Sequence, residues 1–112
     1  MKNDRVYLEY ILERIQRIEE DVADGRDSFM GSHTIQDAVL RNLQTLAESC
    51  QRLSEQFKQR YPEVEWSKIN AFRNVLVHDY LGIDLSQIWL VIMRDVPELK
   101  TNIKRSLNML PE

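Results

Sequence analysis

The chain is poor in the residues that interrupt helices and in those that hold metals. Three glycines and three prolines in 112 residues leave few turns. That scarcity argues for long helices and against a many-stranded fold. One cysteine, Cys50, rules out an internal disulfide and fits a reducing cytoplasm. Two histidines, with no His-x-x-x-His or Glu-x-x-His pair, do not make a zinc or di-iron site, and no metal or cofactor is expected. No glycine-rich loop is present to cradle a nucleotide's phosphates. No apolar run approaches the roughly 20 residues of a membrane span. No basic-then-apolar leader opens the chain. Net charge is −3, so a general electrostatic hold on nucleic acid is not expected. Any RNA contact must come from a local cluster, or from two subunits adding their basic faces.

What remains is a composition of 43% apolar and 29% charged residues, enough for one domain over residues 1–112 with a modest core. Asn3 or Asp4 can cap a first helix running to about Val22. Its stripe is Tyr7, Ile11, Ile15, Ile18 and Val22, while Glu9, Glu13, Arg14, Arg17, Glu19 and Glu20 form a solvated face. Asp24-Gly25 ends it. Arg26 to Thr34 read as a loop, with Phe29 and Met30 tucked into the core and His33 a polar loop or capping residue. A second helix is expected from about Ile35 to Gln59, buried along Val39, Leu43, Leu46, Ala47, Cys50, Leu53 and Phe57. Cys50 in that stripe is a small buried hydrophobe. Glu48 lies at its edge, and an exposed or structural role is expected for it. Lys58 and Arg60 suit the helix dipole near its end. Tyr61-Pro62 forces an exit.

Trp66 packs, Ser67 caps a third helix, and Leu81-Gly82 stops it. Asp84 to Gln87 has capping-box spacing for a fourth helix with Leu85, Ile88, Trp89 and Ile92 inward. Asp95-Val96-Pro97 is a second stop and restart. Leu99, Ile103, Leu107 and Leu110 line the last helix, with Lys100, Lys104 and Arg105 on a solvated flank. The fold class is therefore all-α: an up-and-down bundle of about five helices with short connections.

The third helix carries the unusual chemistry. Arg73-Asn74-Val75-Leu76-Val77-His78-Asp79-Tyr80 sets an arginine, an amide, a histidine and a phenol in an otherwise apolar helix. With Arg73 at zero on a helical wheel, Asn70 falls at about 60°, Asn74 at about 100° and His78 at about 140°. Tyr80, if the helix reaches it, returns to within about 20° of Arg73. Ile69, Phe72 and Leu76 gather on the opposite arc. A helix needing only solubility would carry Lys and Glu there. A guanidinium forks two hydrogen bonds onto a phosphate, and imidazole moves protons near neutrality. Those groups suffice for metal-free RNA cleavage, because the 2′-hydroxyl is the nucleophile and the product is a 2′,3′-cyclic phosphate. In that scheme His78 is the acid/base, Arg73 the phosphate clamp and Asn74 the orienter.

Read as Arg-x-x-x-x-His-x-Tyr, the stretch resembles the signature of HEPN-fold ribonucleases, specifically the HepT-like toxins. The resemblance runs along nearly the whole chain: Asp4 to Leu8, Gln36 to Leu43, Arg52 to Ser54, Arg60 to Glu63, Trp66, Val77 to Tyr80, Gly82 to Leu85, and Pro97 to Leu99. Ala47-Glu48-Ser49-Cys50 departs from the Gly-Glu-Ala of many relatives. The resemblance implies a helical HEPN bundle and a two-fold homodimer with the motif helices around a shared cleft. It also implies a toxin–antitoxin system, with Tyr80 accepting AMP from a separate nucleotidyltransferase antitoxin. Two other readings stand beside it. One is a non-catalytic HEPN subunit that binds nucleotide or docks a transferase. The other is a helical dimer in which Arg73 and His78 only bridge the seam.

Overall fold

The computed structural model describes residues 4–110, and Asn3 as a cap lies outside them. Among the described residues there is no strand. The α-helices are α1 (Asp4–Asp21), α2 (Arg26–Met30), α3 (His33–Gln51), α4 (Glu55–Arg60), α5 (Trp66–His78), α6 (Leu85–Leu90) and α7 (Val96–Met109). The fold class is all-α, as expected, in a body measuring 43 × 27 × 20 Å. None of these helices is long and apolar enough to cross a membrane.

The core forms between α1 and α3. Leu8, Ile11, Ile15 and Ile18 of α1 lose all exposure, at the three- and four-residue spacing that keeps one helical face inward. Tyr7 and Val22, expected in that stripe, are half-buried flanks that pack against it. Helix α3 answers with Val39, Leu43, Leu46, Ala47 and Cys50. Cys50 is the buried hydrophobe its position predicts, and that burial pushes its thiol up to about 12. On its other flank α3 carries α5, and α7 closes over α1.

Arg14 is not on the solvated face expected of it. Its guanidinium lies over the Tyr10 ring at 4.8 Å and donates to Asn42 Oδ1 at 3.1 Å, while Asn42 Nδ2 donates to Asp21 Oδ2 at 3.1 Å. Burial raises the Asp21 carboxyl above its ordinary value despite that hydrogen bond.

Several boundaries differ from the sequence reading, each for a local reason. The expected loop after Gly25 contains α2, whose Phe29 is fully buried and meets Trp89 at 5.4 Å between ring centroids. Ser32 starts α3 early, its Oγ accepting from Ile35 N. The long second helix is broken at Ser54, which adopts an extended conformation and caps Phe57 N. The Asp4 carboxylate holds that break by accepting from Ser54 N at 2.9 Å and Ser54 Oγ at 2.7 Å. Helix α5 starts at Trp66 with Glu65 before it, so Ser67 is not its cap. Asp84 does cap α6, accepting from Ser86 N.

The stop expected at Asp95-Val96-Pro97 does not occur. A π-helical turn, Val91–Asp95, joins α6 directly to α7, with Pro97 in the first turn of α7. A mid-helix proline lacks an N–H and collides with the carbonyl four residues back; the widened turn before Pro97 absorbs both defects.

Candidate nucleic-acid cleavage site

Helix α5 is held by one buried side, and that leaves the other for chemistry. Leu76 is its buried residue, with Ile69 and Phe72 half-buried beside it. Asn70, Asn74 and His78, four residues apart, are exposed along the opposite side. Arg73 lies at the edge between the two, against α3.

There its guanidinium meets Glu48. Nε and Nη2 of Arg73 both donate to Glu48 Oε2 at 3.3 Å, and Gln44 Nε2 donates to the same oxygen at 3.2 Å. Nη1 donates to Asn74 Oδ1 at 3.3 Å. The carboxylate thus takes the side edge of the guanidinium, formed by Nε and Nη2. Each Nη carries a second hydrogen, and the pair at the far end is the fork that fits two phosphate oxygens.

Glu48 thus has the structural role expected of it, as the partner that holds Arg73 against α3. Its signal was in the sequence: Gln44 and Glu48 are one turn apart at the border of a buried stripe. Asn74, expected to orient the imidazole, accepts from Arg73 Nη1 through its Oδ1. His78 is the last residue of α5, exposed, one turn beyond Asn74. His33 is exposed at the start of α3 and apart from this cluster.

Tyr80 lies outside α5. The helix ends at His78, Asp79 turns the chain at φ −130° and ψ 51°, and Tyr80–Gly82 form a single 3-10 turn. The wheel position of Tyr80 near Arg73 therefore does not hold. The phenol is 57% exposed and Leu81 is fully exposed beside it. A Cβ at Gly82 would come within 2.6–2.8 Å of the Asp79 carboxylate, so that exposed side chain would have to swing aside.

Among the described residues no group of three or more His, Cys, Asp or Glu side chains is gathered to hold a metal ion. An apolar groove of about 610 Å³ lies on the other side of α5, lined by Phe72, Val91 and Leu99 among others, and no motif residue opens into it.

The family model described as Ribonuclease HepT-like matches residues 11–106. The chain is 34% identical over 110 residues to a Methanocaldococcus jannaschii protein named gamma-glutamylcyclotransferase and putative RNase. That match covers 97% of this chain and only 50% of that protein, so the chain spans half its length. It is 31% identical over 108 residues to a Caldanaerobacter subterraneus subsp. tengcongensis protein named putative RNase, covering 96% of each. It is 30% identical over 105 residues to the Thermococcus cleftensis protein named probable ribonuclease HepT, covering 93% of this chain and 96% of that one. No solved structure matches the chain.

The Arg73–Glu48 pair is partly open to water, with side-chain exposures of 27% and 31%. Such pairs contribute no more than about 1 kcal/mol to folding. Glu48→Ala is accordingly expected to lower unfolding free energy by at most about 1 kcal/mol in urea titration. A loss of about 3 kcal/mol or more, the range for breaking a buried pair, would show that the pair holds the fold.

Proposed function

The chain belongs to the HepT-like ribonuclease family, and we propose that it is a cytoplasmic ribonuclease toxin that cleaves RNA without a metal. The observation that carries this reading is the shared exposed side of α5. Arg73 is held there by Glu48, with Nη1 donating to Asn74, and His78 stands two turns beyond Asn70.

In the proposed reaction His78 takes the proton of a ribose 2′-hydroxyl as that oxygen attacks the adjacent phosphorus. The bond to the 5′-oxygen breaks, that oxygen takes a proton, and a 2′,3′-cyclic phosphate remains. The far edge of Arg73 donates to the phosphate oxygens as they gain charge. Glu48 and Asn74 position the guanidinium. Each copy of the chain has one histidine on this side of α5. A two-fold homodimer with α5 near its axis supplies a second His78, one acting as base and the other as acid.

Tyr80 is the proposed off switch. Its hydroxyl attacks the α-phosphorus of ATP held by a separate nucleotidyltransferase antitoxin; pyrophosphate leaves and the phenol proton is lost. The exposure of Tyr80 on a turn suits it to enter another enzyme's active site. Attached AMP adds negative charge and bulk at the end of α5, beside His78, and obstructs the approach of RNA.

Three experiments test these assignments. His78→Ala is expected to abolish cleavage of RNA by the purified protein while leaving its circular dichroism intact. Arg73→Lys is expected to be poor as well, because a point charge does not fork onto two oxygens. Full activity in either variant refutes the assignment. Light scattering is expected to give a dimer at micromolar concentration; an active monomer refutes the shared cleft. Intact mass after incubation with the transferase, ATP and magnesium is expected to rise by one adenylyl group in the wild type and not in Tyr80→Phe, which still cleaves RNA. An increment that persists in Tyr80→Phe places the modification elsewhere.

A further inference from the structure

The exposed row on α5 begins at Asn70, one turn before Arg73 and Asn74, where Asn70 accepts from the Gln51 side-chain amide across the α3–α5 seam. Lys58 on α4 donates its ammonium to Gln51 O at 3.3 Å, with Glu55 at 3.9 Å its nearest acid. These three residues rim a cavity of about 540 Å³ whose floor includes Val64, Trp66 and Ile69. The indole N–H of Trp66 is already satisfied by Lys58 O and Tyr61 O, so the ring's remaining contribution to the cavity is apolar.

We propose that this cavity is a nucleotide subsite of the RNA substrate, taking the base and phosphate next to the scissile bond; the proposal rests on the ribonuclease reading above. The cavity adjoins the motif, because Asn70 is one turn before Arg73 and Asn74 on the same exposed side of α5. Its chemistry suits a single-stranded nucleotide and not a duplex. An apolar floor takes the face of an unstacked base, and side-chain amides read a base's hydrogen-bonding edge. Gln51 and Asn70 each offer a donor and an acceptor, the combination that pairs with adenine. Their mutual hydrogen bond keeps the two amides in place until a base displaces it. Lys58, at the far rim, supplies a point charge for the neighbouring phosphate. Glu55 keeps the site from being strongly basic, which leaves selectivity to the amides.

The test is binding of fluorescein-labelled hexamers of adenylate, cytidylate and uridylate, 2′-O-methylated throughout so that they cannot be cleaved. Anisotropy is expected to show the wild type preferring the adenylate hexamer by about tenfold. Asn70→Ala and Gln51→Ala are expected to flatten that preference, and Lys58→Gln to weaken all three hexamers alike and reduce the salt dependence. A wild type that binds none of them, or binds all three equally, overturns the subsite, as do folded variants that bind like the wild type. Cleavage of unmodified RNA, assayed in parallel, decides the ribonuclease reading separately. A wild type that cleaves while Asn70→Ala and Lys58→Gln retain its binding pattern refutes the subsite alone. A wild type that binds as expected but does not cleave refutes only the ribonuclease assignment.

Discussion

Helix α3 has to satisfy two neighbours at once, and the rest of the molecule follows from that constraint. Its apolar stripe faces α1 along one flank, while α5 packs on the other. A single helix has room for only so many inward positions, so the residues at the borders of the stripe are polar and must find partners. At one border Asn42 joins Arg14 and Asp21. At the other Gln44, Glu48 and Gln51 meet Arg73 and Asn70. The first border is the more covered of the two, with Asn42 buried, and burial raises the Asp21 carboxyl. The second is open to solvent, so the same kind of polar seam becomes available to a ligand.

The one-sided attachment of α5 is what leaves room for the proposed chemistry. Leu76 is the residue it buries, and its half-buried companions Ile69 and Phe72 border a groove. A helix fixed along one side keeps the rest of its circumference free. Arg73 then has one observed task, docking α5 on α3 through Glu48, and one proposed task, offering its outer edge to phosphate. A lysine could manage the first task but has no rigid second edge.

What was legible in the sequence was mostly periodic. The stripe of α1, the inward face of α3 and the exposed row Asn70, Asn74 and His78 all follow from helical spacing, and the structure puts them there. What was not legible depended on partners distant in sequence. The break at Ser54 needs Asp4, fifty residues earlier, to hold its N–H and hydroxyl. Glu48 belongs beside Arg73 only because α5 folds back on α3 twenty-five residues later. Tyr80 was misplaced on the wheel because the helix ends at His78, and Asp79-Tyr80 carries no proline or glycine to announce the end. The family resemblance was carried by the whole motif with its flanks, and the match over residues 11–106 agrees with it.

The π turn at Val91–Asp95 leaves a mark on the apolar rhythm of the carboxy-terminal helix. Ile88, Ile92 and Val96 are all buried, yet they follow one another at intervals of four. In a regular α-helix each such step drifts by about 40° around the axis, and two carry Val96 about 80° round from Ile88, toward the border of the face they share. The wider π winding takes up that drift. It acts as a phase correction, one residue long, between two otherwise ordinary helices. Chain length is consequently elastic at this point and not elsewhere in the helix. Losing one residue within the turn would restore regular α winding and leave Ile103 facing inward. Losing one within α7 would swing everything beyond it by about 100° and take the core face with it.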